Sequence, residues 1–110
     1  MSITSKDRPI SEEFRLIAKQ WVDADAAARL LEETKTTVLN QRMKALGDMA
    51  VNAAEREVKS SPEWHEFIKE LVDARTKANL LKCQMEYIRM KFNEWQALDA
   101  NSRAEMRLTR

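Results

Sequence analysis

One glycine and two prolines in 110 residues leave little material for tight turns. Sheets and loop-rich folds consume both residue types, so their scarcity argues against a strand-based architecture. A single glycine also excludes a glycine-rich phosphate loop. The one cysteine has no partner for an internal disulfide, which points to a reducing compartment. One histidine and one cysteine do not make a zinc site. His65 and Cys83 lie eighteen positions apart on one expected helix, about 27 Å, so they do not meet within a chain. Aromatics are only 6% of the residues, so bulky core material is short. No apolar run approaches the roughly 18 residues that a membrane span needs. The start MSITSKDRPIS lacks the apolar core of a signal peptide. A cytoplasmic protein without membrane contact is expected.

What remains is helix-forming material. Alanine, leucine, methionine, glutamate, lysine and arginine dominate, and more than about 75% helix is expected. Nineteen basic residues face eighteen acidic ones, for a net charge of +1. That balance does not mark a general nucleic-acid binder, so any such role depends on local clustering. The acidic pairs Glu63/Glu66 and Glu66/Glu70 are ordinary on a solvated helix face. The Glu-x-x-His spacing of a di-iron bundle is absent. No enzyme, cofactor, metal or small-molecule substrate is expected.

Residues 1–10 read as a polar arm ending at Pro9 and Ile10. Ser11 is a candidate N-cap, with Glu12 and Glu13 in the first turn, where the helix dipole favours them. The first helix is expected over 11–58. Phe14, Ile17, Trp21, Ala24, Ala28 and Leu31 recur at spacings of three and four, forming one apolar stripe. Three threonines between 34 and 37 weaken the helix, and a break near 32–37 is one outcome. Gly47 is either tolerated inside the helix or marks a close helix contact. Ser61 is placed to cap a second helix, with Pro62 at its first position, where a missing N–H costs nothing. The flanking helices then form an antiparallel hairpin or a bent rod.

The second helix, expected over 62–98, carries the strongest pattern. Trp64, Phe67, Leu71, Ala74, Ala78, Leu81, Met85, Ile88, Phe92 and Trp95 alternate in gaps of three and four. Five heptads without a break ask for coiled-coil-like packing. The expected fold is all-α: two long helices in a hairpin, assembled into an oligomeric bundle. Such a small chain with a long seam points to a homo-oligomer. The pattern fades at Asp99 and Ser102, so 99–110 is expected to be a frayed tail.

Arg75, Lys77, Lys82, Arg89 and Lys91 flank the seam, with Glu86 the one acidic residue between Arg75 and Lys91. These are either ordinary flanking side chains whose stems cover the seam, or a basic stripe following a phosphate backbone. Tyr87, off the seam, either packs on a neighbour or stacks on a base.

The run Ser60-Ser61, Ile68, Glu70, Ala74, Lys77-Ala78, Leu81-Lys82 and Tyr87 resembles the early helical region of the UvsY family of phage recombination mediators. About thirty residues carry the likeness, and the tryptophan-rich seam departs from it. The segments EYIRMKFNEWQ and RAEMRL are also similar to uncharacterised small helical phage and prophage proteins. The resemblance implies an oligomeric accessory protein that handles single-stranded DNA beside a recombinase. Arg75, Lys77 and Lys82 would be its DNA-facing residues. The alternatives are a structural or adaptor coiled-coil protein, and an inhibitor docked on a nucleic-acid enzyme.

Overall fold

The computed structural model describes residues 9–108. The arm expected over 1–10 lies outside the described residues except for Pro9 and Ile10, as do the last two residues of the expected tail. The described chain is all-α, with three helices: α1 (Ile10–Lys44), α2 (Val51–Lys59) and α3 (Pro62–Leu108).

α1 starts one residue earlier than its expected cap. The Pro9 carbonyl accepts the N–H groups of Glu12 and Glu13 at 3.0 and 3.1 Å, so proline occupies the capping position and Ser11 lies inside the helix. The threonine-rich stretch does not break α1. The Thr34 hydroxyl donates to the Leu30 carbonyl at 2.7 Å, which satisfies it inside the helix.

The break comes at 45–50 instead. Gly47 has φ +85, the left-handed conformation that ends helices and that other residues adopt at a cost. Its N–H donates to the Lys44 carbonyl at 3.1 Å, and the Leu46 N–H donates to Met43 at 3.2 Å. The expected helix 11–58 is therefore two helices, and the two-helix hairpin becomes a three-helix arrangement.

Ser61 serves both of its neighbours. Its hydroxyl donates to the Val58 carbonyl at the end of α2 (2.6 Å) and accepts the Trp64 N–H in the first turn of α3 (3.2 Å). Pro62 is the first residue of α3. α3 runs on to Leu108 and is not frayed from 99; an Arg103–Asp99 ion pair of 2.6 Å, one turn apart, supports that last part.

The chain divides into two units: Val22–Asn79, and Met1–Trp21 with Leu80–Arg110. In the first, Arg42 of α1 and Leu46 just beyond it share a cleft with Ser61 and Glu63, while Asp25 and Glu32 meet Arg75. Residues advancing along α1 thus meet residues retreating along α3, so the two helices are antiparallel there. Its buried residues are Ala24, Ala28, Ala54, Val58, Trp64 and Ala78, most of them small. Small residues let helix backbones approach closely. Trp64 fills the end of this core, its ring centroid 5.4 Å from that of Phe67.

In the second unit Leu81 is buried. Phe14, Ile17, Trp21, Met85 and Ile88 are half-buried, and Phe14 and Ile88 line one cleft. Of the α3 seam, Trp64, Ala78 and Leu81 are buried and Phe67, Leu71, Ala74, Met85 and Ile88 half-buried. Phe92 and Trp95 remain 38% and 56% exposed. α1 carries its own apolar stripe, which packs along α3.

Candidate functional site

The five basic residues expected to follow a phosphate backbone do not form one stripe. Arg75, Lys82 and Arg89 are spaced by seven and share one flank of the seam, whereas Lys77 and Lys91 lie fourteen apart on the other flank.

Arg75 is committed to α1. Its Nε and Nη2 donate to the two carboxylate oxygens of Glu32 at 2.9 and 2.6 Å, and its Nη1 donates to Asp25 at 2.8 Å. Asp25 and Glu32 are themselves seven apart and flank the α1 stripe just as Arg75 flanks the seam. In an antiparallel pair, matching flanks face each other. The hydrogen bonds from Arg75 hold the Glu32 carboxyl below its ordinary pKa. Those two carboxylates, Glu32 first and then Asp25, raise the guanidinium's pKa further above its already high value. Asp25 also takes an ion pair from Arg29 at 3.0 Å. Arg75 is thus not an open phosphate ligand: its charge is matched by two carboxylates.

Arg89 is also engaged. Its guanidinium carbon lies 5.7 Å from the centre of the Phe14 ring, within cation–π range. Around it, Ile10, Ser11, Phe14, Ile88 and Phe92 line a cleft of about 210 Å³. Lys77, Lys82, Lys91 and Tyr87 are exposed. The expected nucleic-acid set therefore separates into Arg75, paired with two carboxylates of α1, and Lys77, Lys82, Tyr87, Arg89 and Lys91, all exposed, with the Arg89 guanidinium over Phe14.

Two apolar surfaces on α3 stand out. One is its distal end, where Phe92 and Trp95 stack with centroids 6.1 Å apart, followed by Leu98, Met106 and Leu108 at 68, 60 and 85% exposure. The other is on the side away from the seam. Leu80, Cys83, Tyr87 and Met90 recur at gaps of three, four and three, and all four are exposed. The alternation that marks the buried seam would have revealed this second stripe in the sequence. By position, Cys83, Tyr87 and Met90 all lie off the seam.

Among the described residues no group of three or more His, Cys, Asp or Glu side chains stands close enough to hold a metal ion. No described helix is long and apolar enough to cross a membrane. No protein-family model, curated protein or solved structure matches the chain.

Proposed function

We propose that this protein is a non-catalytic helical adaptor that docks on a partner protein through the distal end of α3. One observation carries the reading. From Lys91 to Leu108 every described residue but Asp99 is exposed, yet the segment is helical and displays Phe92, Trp95, Leu98, Met106 and Leu108. Solvated helices need no tryptophan or paired aromatics, and aromatic side chains are enriched where proteins meet. A rigid helix presenting apolar anchors is a common means of protein recognition.

The test is a quantitative comparison of proteins co-purifying from the source cells with the full chain and with its W95A/L98A variant. Both positions are exposed, so the variant keeps the fold, as circular dichroism will check. A partner retained by the wild type, lost by the variant, and reconstituted from purified components supports the adaptor. Identical recoveries with both chains would reject it.

The second reading is non-specific binding of single-stranded DNA beside a recombinase. The resemblance to the UvsY family and the exposed Lys77, Lys82, Lys91 and Tyr87 support it. The pairing of Arg75 with Asp25 and Glu32 counts against it. Titration of labelled single strands at two salt concentrations separates the two, because phosphate contacts weaken steeply as salt rises. Saturable, salt-sensitive binding that K77Q/K82Q/K91Q removes would favour the DNA reading.

A further inference from the structure

From the outer stripe of α3 we infer that Leu80, Cys83, Tyr87 and Met90 form the contact between two copies of this chain, with their α3 helices parallel and in register. This does not depend on the adaptor reading, which concerns the distal end of the helix.

The stripe has the spacing of a helix–helix contact. Its four residues advance by three, four and three, the alternation that keeps one face toward a partner helix. All are exposed, with Leu80, Tyr87 and Met90 at 60, 65 and 63%. α1 does not cover this side, having taken the opposite face at Leu81, Met85 and Ile88. The stripe is bounded by polar residues in the same repeat: Asp73 and Thr76 before it, Glu94 after it. Its contact length is therefore about 15 Å, and the association is weak.

The residues beside the stripe select the occupant and its direction. Glu86 borders it on one side and Lys91 on the other. In a parallel, in-register pair, the residue flanking one side meets the residue five positions later on the partner helix. Glu86 then faces Lys91 of the second copy, and two-fold symmetry repeats the pair, so the stripe complements itself. A fully overlapped antiparallel pair sets Glu86 against Glu86 and leaves Lys91 without its opposite charge. Asn79 and Gln84 occupy the remaining paired flanks and add no like-charge contact. The parallel arrangement also sets Cys83 beside Cys83, near the distance a disulfide requires, which provides a built-in probe of the register.

The experiment uses the full chain in sedimentation equilibrium up to about 0.5 mM, since small interfaces associate weakly. A reversible dimer of the 12.8 kDa chain is expected. Mild oxidation should convert it efficiently to a Cys83–Cys83 disulfide. L80D should abolish both dimer and cross-link without loss of helix signal, because Leu80 is exposed in the single chain. E86K should weaken the dimer by about fivefold, and E86K/K91E should restore it, as expected for two facing ion pairs. Four results would overturn the inference: a monomer throughout the range, a dimer indifferent to L80D, a dimer in which Cys83 does not cross-link, or failure of the double charge swap to restore association.

Discussion

Arg75 grips Glu32 with two parallel hydrogen bonds, 2.9 and 2.6 Å long, that tie α3 to α1. The pair is part of how the antiparallel helices find their register, because both residues lie on matching flanks of their apolar stripes. It also commits to α1 one of the three residues that the UvsY resemblance would turn toward DNA. Planar two-pronged bonding of this kind is specific to arginine, and lysine does not reproduce it.

The pair predicts a pH-dependent contribution to stability. Glu32 has a folded pKa below its unfolded value of about 4.3. Its contribution is therefore complete above that value and disappears as pH falls through the lower folded value. Urea unfolding of the wild type and E32Q should show the variant weaker at pH 7 and the difference shrinking at strongly acid pH. R75K should lose stability at pH 7 although it conserves charge. A difference between wild type and E32Q that grows on acidification would contradict the assigned pairing.

Gly47 should resist substitution through its backbone conformation alone. A Cβ at this position would meet no atom within 4 Å, so space is not the constraint. Its φ of +85 is. G47A should cost about 1 kcal/mol in chemical denaturation, with G47N closer to wild type because asparagine tolerates left-handed backbone better. A neutral or stabilising G47A would mean that α1 and α2 join as one helix.

Ala28 and Ala78 are both fully buried. Enlarging either overfills a fully buried site. A78L should cost about 1–3 kcal/mol, measured by urea unfolding, where the same change at an exposed alanine such as Ala97 should cost almost nothing. Equal effects at the two positions would show that the Ala78 site is not tightly packed.

The helical character, the start of α3 at Ser61-Pro62 and the apolar alternation were legible in the sequence because each is local. A capping serine, a first-turn proline and a three-four spacing act within a few residues of themselves. The position of the break was harder to read. Three threonines and one glycine both weaken a helix by propensity, but Thr34 satisfies its hydroxyl on the preceding turn, whereas Gly47 adopts a conformation that other residues resist. The commitment of Arg75 was not legible from α3 by itself. It depends on Asp25 and Glu32 lying seven apart on another helix, and on that helix returning antiparallel. Residues 99–110 read as a tail because the seam fades there; the helix continues to Leu108 because alanines, glutamate and arginine favour it and Asp99 pairs with Arg103. Apolar alternation marks where a helix is to be covered, without stating whether the cover comes from the same chain.

The most direct measurement follows the three tryptophans separately by fluorine NMR of the full chain labelled with 5-fluorotryptophan, at concentrations low enough to keep it monomeric. A docking surface at the distal end of α3 requires Trp95 to face water in the free chain while Trp64 is shielded, as their exposures of 56% and 5% indicate. The signal lost in W95F should show the largest shift between light and heavy water, and the signal lost in W64F almost none. A Trp95 signal as shielded as that of Trp64 in the free monomer would mean that the distal face is already covered, and would contradict its role as the docking surface.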